Sequence, residues 1–108
     1  MRQQPPKNIN KLKAKFFKAL SDPVRIEILA FLRDGEKCVC EIIPHLGLIQ
    51  PVVSRHLKIL KTAGLVKYRK NGNWRLYSIT DSRVYQPIDD LTPELVSALT
   101  KRIVEQIV

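Results

Sequence analysis

At Gly64 the hydrophobic pattern of this chain changes period, and that change restricts the available folds more than any other feature. Before it, apolar residues recur every three or four positions. After it, two runs alternate residue by residue, Leu65-Val66-Lys67-Tyr68-Arg69-Lys70 and Trp74-Arg75-Leu76-Tyr77-Ser78-Ile79. The first spacing belongs to amphipathic helices and the second to half-buried strands. Asn71-Gly72-Asn73 separates the two runs, and Asn and Gly accept the positive φ that tight hairpin turns demand.

Upstream of the hairpin, Ile9, Leu12, Phe16 and Leu20 mark a first helix with lysines on its other face. Ser21-Asp22-Pro23 stops it and starts a second, with Asp22 as cap and Pro23 in the first position. That helix turns Val24, Ile28, Leu29 and Leu32 inward and ends near Asp34-Gly35. A short third helix is expected from about Cys40 to Leu46, closed by Gly47, with Pro44 tolerable only within the first turn or so. Gln50-Pro51 opens a fourth, which runs to Ala63-Gly64. After a turn-rich link from Asp81 to Asp90, Thr92-Pro93 starts a last helix carrying Leu95, Leu99, Ile103 and Ile107 on one side. Residues 1–8, polar with two prolines, read as a flexible arm, and residues 9–108 as a single domain. The expected fold is mainly α with a β-hairpin wing: a winged helix-turn-helix of about five helices.

The 108 residues carry 19 Lys+Arg against 10 Asp+Glu, a net charge of +9 that suits a polyanionic partner. Lysine added only for solubility is the competing explanation. No stretch approaches the roughly 18–20 apolar residues that cross a bilayer. The start, Met1-Arg2-Gln3-Gln4-Pro5-Pro6-Lys7, lacks the apolar run of a secretory signal. A cytoplasmic protein without membrane contact is therefore expected, in which two cysteines more readily form a metal or redox site than a structural disulfide. There is no phosphate loop and no histidine near a serine or cysteine with an orienting acid. Asp89-Asp90 reads as a cap region, so neither an enzyme nor a small-molecule substrate is expected.

In the fourth helix, at about 100° per residue, Val53, Leu57 and Leu60 fall on one side. Pro51, Arg55, Lys58 and Thr62 fall opposite, with Ser54 and Lys61 at the edge. Arg55 suits guanine edges, Lys58, Lys61 and Ser54 suit phosphates, and Gln50 suits adenine or a phosphate. His56 is the marginal member of this set, since a histidine at that border more often packs or bonds backbone than meets a base. Lys67, Arg69, Lys70 and Arg75 add charge from the hairpin, while Trp74 and Tyr77 read as hairpin packing.

Leu20-Ser21-Asp22-Pro23-Val24-Arg25-Ile26-Glu27-Ile28-Leu29 resembles the second-helix pattern of the arsenic-repressor (ArsR/SmtB) family. Cys38-Val39-Cys40-Glu41 resembles its metal box, and Gln50-Pro51-Val52-Val53-Ser54-Arg55-His56-Leu57-Lys58-Ile59-Leu60 its recognition helix. Ala63-Gly64-Leu65-Val66 is similar to the segment that leads into its wing. The resemblance implies a homodimer joined through the first and last helices, with Leu12, Phe16, Leu95, Leu99, Ile103 and Ile107 at the interface. It also implies a double-stranded, two-fold-symmetric DNA operator and release of that operator by a thiophilic ion.

For Cys38 and Cys40 the resemblance implies a sensor site for As(III) or Sb(III). Positions two apart in a regular helix point about 200° from each other, so the sulfurs converge only if the first turn opens or was never wound. Two departures from the family pattern stand out. Ile43 replaces a further cysteine of the arsenite binders, and residues 1–15 contain none of the cysteines that cadmium and lead binders recruit. Two thiolates complete neither a trigonal nor a tetrahedral site. A non-protein thiol, His45 or the other subunit is left to supply a third ligand, or mercury or a soft monovalent ion to bind with two. The last helix has no histidine, which argues against a zinc site there. A redox-sensing or functionless cysteine pair, or an architectural DNA-coating protein, are the alternatives.

Overall fold

The computed structural model describes residues 7–107, and their side chains as far as residue 103. Six α-helices and three strands make up the described chain: α1 Ile9–Leu20, α2 Pro23–Phe31, β1 Lys37–Cys38, α3 Val39–Leu46, α4 Gln50–Thr62, β2 Val66–Asn71, β3 Trp74–Ile79, α5 Tyr85–Asp89 and α6 Pro93–Ile107. The helix boundaries follow from local chemistry. Asp22 accepts the Val24 amide at 2.8 Å with Pro23 in the first turn of α2, and Thr92 Oγ1 accepts the Leu95 amide at 3.2 Å. Gly47 closes α3 in the left-handed conformation, φ 66°, and its amide donates to the Ile43 carbonyl.

The structure departs from the sequence expectations in four places. Residues 81–90 are not simply a turn-rich link: Asp81 caps a short 3-10 turn that leads into α5. Pro44 lies in the second turn of α3 rather than the first, so the Cys40 carbonyl has no intrahelical amide to accept. The wing is not a hairpin alone, because β1 pairs antiparallel with β3 to give the order β1-β3-β2. Finally, Asn71 pairs with Trp74, leaving Gly72-Asn73 as the loop, and only Gly72 takes a positive φ, 63°. Residues 1–6 of the expected arm lie outside the described residues.

The core joins Ile28, Leu29 and Leu32, Ile42 of α3, and Val53, Leu57 and Leu60 of α4, each almost fully buried. Leu65, Val66 and Tyr77 seal the base of the wing onto it. Buried Tyr85 anchors α5 by donating its hydroxyl to the Leu29 carbonyl at 2.6 Å. Arg33 strengthens this junction with a two-pronged bond to Asp89 and by stacking over the Tyr85 ring at 4.0 Å. No helix among the described residues is long and apolar enough to cross a membrane.

Candidate nucleic-acid interface and cysteine pair

Helix α4 divides cleanly. Its apolar side is sealed, whereas Gln50, Pro51, Ser54, Arg55, Lys58 and Lys61 are all exposed on the opposite side. His56 belongs elsewhere. It is 8% exposed, and its Nδ1 lies 3.1 Å from an Arg25 guanidinium nitrogen, so it is an internal tie and not a member of the exposed face. Arg25 also donates to the Ala19 carbonyl at 2.6 Å and to the Lys18 carbonyl at 3.4 Å. One side chain thereby joins the end of α1 to the middle of α4. Asp22 stands 4.0 Å from Arg25. Burial pushes the Asp22 carboxyl up, but the Val24 amide, His56 and Arg25 outweigh it and hold it below its ordinary range. The sequence signal for the tie was weak, because helical period places His56 only at a border.

On the wing, Lys70 lies directly across from Arg75. The Arg75 guanidinium sits 4.8 Å from the Tyr68 ring centroid and the Lys61 ammonium 4.7 Å from it, so one aromatic ring gathers cations from β3 and α4. Arg69 is different. Its guanidinium makes two bonds to the Glu36 carboxylate, at 2.8 and 2.9 Å, which offsets the charge expected to face DNA. Tyr77 is packed as expected of the hairpin, but Trp74 is not, being 56% exposed near the tip. Between α3, α4 and the wing runs a groove of about 760 Å³ whose lining includes Ser54, Lys58, Lys61, Trp74, Arg75 and also Cys40. Nothing in the sequence spacing signalled that Cys40 would share a wall with the cations of the wing.

The cysteines meet because Cys38 was never wound into α3. It ends β1 with extended backbone, φ −68° and ψ 146°, while Cys40 lies in the first turn, and their Cα atoms are 5.0 Å apart. The two sulfurs stand at disulfide distance from each other. Cys38 Sγ also accepts the Cys40 amide at 3.1 Å, and Glu41 returns its carboxylate to the Cys38 amide at 2.8 Å, completing a capping box. Cys38 is 7% exposed, whereas Cys40 is open to solvent. His45 is held elsewhere, with Nε2 at 2.9 Å from Glu27 and its ring stacked on Phe31. No group of three or more His, Cys, Asp or Glu side chains among the described residues is placed to hold a metal. Among the described residues the reduced pair therefore offers donors for a two-coordinate thiophile and leaves a trigonal site one ligand short.

On α1 and α6, Leu12, Phe16, Leu95, Leu99 and Ile103 are between 42% and 57% exposed. The Ile107 side chain lies outside the described residues. Phe17, not anticipated, extends the apolar surface of α1.

Residues 22–68 match the family model described as bacterial regulatory protein, arsR family. An uncharacterized HTH-type transcriptional regulator of Methanocaldococcus jannaschii is 51% identical over 76 residues, covering 69% of this chain and 85% of that protein. The arsenical resistance operon repressor of Staphylococcus xylosus is 47% identical over 62 residues, covering 57% of this chain and 60% of the repressor. The match thus spans less than two thirds of that repressor's length. Among solved structures, Rv0081 of Mycobacterium tuberculosis superposes with a TM-score of 0.74 at 33% identity, covering 91% of this chain and 99% of that one. The homodimeric winged helix-turn-helix DNA-binding domain Mb0332 of Mycobacterium bovis gives 0.71 at 28% identity, covering 98% and 95%.

Proposed function

Because the chain belongs to the ArsR family of bacterial regulatory proteins, we propose that it is a homodimeric repressor that holds operator DNA and releases it when a thiophilic ion engages Cys38 and Cys40. Membership makes it a winged helix-turn-helix regulator and not an enzyme. The observation that carries the reading is the division of α4: a sealed apolar face behind an exposed one bearing Arg55, Lys58, Lys61 and Ser54, with wing cations converging beside it. Arg55 reads bases in the major groove, while Lys58, Lys61, Lys70 and Arg75 hold phosphates. Gln50 and Pro51 enter the groove first at the helix N-terminus. Double-stranded DNA is favoured because Tyr77 is buried and Tyr68 packs against it, which leaves Trp74 as the one exposed ring of the wing, short of the series of rings on which a single strand stacks. A second copy, joined through α1 and α6, covers the exposed apolar stripes and matches a two-fold-symmetric operator.

The ion is sensed at the junction of both DNA-facing elements. Cys38 lies opposite Leu76 in the wing sheet, and Cys40 lies in the first turn of the helix that supports α4. In the reduced pair, an ion that sets the sulfur separation strains that junction, so ion and operator favour different arrangements. Arsenite or antimonite is the first candidate by likeness to the staphylococcal repressor, with a third ligand drawn from a non-protein thiol or the partner subunit. Mercury and silver suit the pair without addition. A second reading, in which oxidation of the pair is itself the signal, is supported by the closeness of Cys38 and Cys40, whose Cα atoms are 5.0 Å apart.

The test is binding of the reduced protein to the DNA upstream of its own gene, followed by separate additions of arsenite, antimonite, cadmium, mercury and silver. Release by one ion, lost in the Cys38→Ser/Cys40→Ser double variant with DNA affinity unchanged, is the expected result. Release that persists in the double variant removes the sensor assignment, and specific binding disturbed only by oxidants moves it to the second reading.

A further inference from the structure

We propose that Cys40 is a covalent attachment point for small disulfides that carry carboxylates, seated in the cationic groove between α4 and the wing. The two cysteines are unequal: Cys38 is buried at the end of β1, whereas Cys40 is exposed and forms part of the groove wall. Three cations share that wall, Lys58 and Lys61 from α4 and Arg75 from β3, and no acidic side chain is among its described lining residues. Tyr68 holds two of the cations beside its ring, and exposed Trp74 adds an apolar surface. At about 760 Å³ the groove has the size of a small-molecule site. An anion is therefore drawn toward the one exposed cysteine sulfur among the described residues.

The chemistry balances with the small disulfide as oxidant. The Cys40 thiolate attacks one sulfur of R–S–S–R; the Cys40–S–S–R bond forms, the original S–S bond breaks, and RS⁻ leaves with the electron pair. Cys38, whose Sγ already accepts the Cys40 amide at 3.1 Å, then attacks the Cys40 sulfur and expels the second RS⁻. The product is a Cys38–Cys40 disulfide, which the 5.0 Å separation of their Cα atoms allows. The small disulfide has been reduced to two thiols, which take up the protons the two cysteines gave up. While attached, R occupies the space between the recognition helix and wing, so adduct and DNA exclude each other by overlap. No metal takes part, and the inference stands apart from ion sensing.

The reduced full chain carrying Cys38→Ser traps the adduct on Cys40, located by mass spectrometry. Two probes are compared, dithiobis-nitrobenzoate (a dianion) and dithiodipyridine (neutral), each rate normalised to free cysteine. At low salt the dianion is expected to react about tenfold faster than the neutral probe, with the advantage collapsing as salt rises. Lys58→Gln with Lys61→Gln slows the dianion and leaves the neutral probe unchanged, and duplex DNA slows both. Equal normalised rates, charge variants that slow both probes alike, or a Cys40→Ser chain that reacts as fast through Cys38 would each overturn the proposal. Because no ion is added, failure here leaves the ion-release experiment unaffected.

Discussion

Helices α4 and α6 carry the same kind of apolar stripe and meet opposite fates. In α4, Val53, Leu57 and Leu60 are buried against α2, α3 and β2, whereas every described side chain from 91 to 103 is exposed, including Leu95, Leu99 and Ile103. Both stripes follow the helical period, so amphipathicity by itself does not say whether a stripe serves the fold or an assembly. Burying a leucine stabilises by roughly 1.5–3 kcal/mol. In α4 that stabilisation is realised within the chain. For the described side chains of α6 much of that stabilisation is unrealised within the chain.

The sharpest way to break the comparison is one truncation in each helix. Leu57→Ala is expected to lower unfolding stability by about 2–5 kcal/mol, read by denaturant titration. Leu99→Ala should leave the protomer folded and raise the dimer dissociation constant at least about tenfold, roughly 1.4 kcal/mol, read by sedimentation on dilution. Equal losses of protomer stability would mean that α6 packs within its own chain.

Next in size is the exposed face of α4, where Arg55→Ala should remove about 1–3 kcal/mol of discrimination between operator and random DNA. Equal weakening on both sequences in a competition titration would reduce Arg55 to a phosphate contact.

The buried side has a polar counterpart in Tyr85. Tyr85→Phe leaves the Leu29 carbonyl without its donor and should cost about 1–2 kcal/mol. Burial is the main cause that raises the Tyr85 phenol above its ordinary 10.0. Its stabilising contribution is therefore complete below pH 10.0 and is lost as pH rises through the folded value. Alkaline unfolding that is unchanged in Tyr85→Phe would contradict this assignment.

The smallest effect separates two wing arginines. Arg75→Gln should reduce the salt slope of DNA binding by about one, and Arg69→Gln by much less, because Glu36 already offsets its charge. Equal changes in slope would show that the Arg69–Glu36 pair opens on DNA.

Sequence and structure agree on several features that depend on neighbours along the chain. The sealed apolar side of α4, the cap at Asp22 and the start of α6 at Pro93 are all of this kind. They diverge where short elements borrow stability from distant partners. Two-residue β1 has no period to read and exists because β3 offers Lys37 and Cys38 an antiparallel edge. Five-residue α5 contains Pro87 and is held by the Tyr85 hydroxyl and by Asp89 reaching Arg33. Arg69 looked like a free wing cation because Glu36, 33 residues away, is invisible to local pattern.

The candidate site divides along the same line. By itself the sequence determined the apolar side of α4 and most of its exposed side, that a basic hairpin follows it, and that two thiols stand two residues apart, since backbone geometry turns spacing directly into direction. Only the tertiary structure decided that Cys38 lies outside the helix, that His56 turns inward to Arg25, and that Cys40 opens onto the cations of the wing. Those placements depend on which distant surfaces come together, and no periodicity along a single segment encodes that.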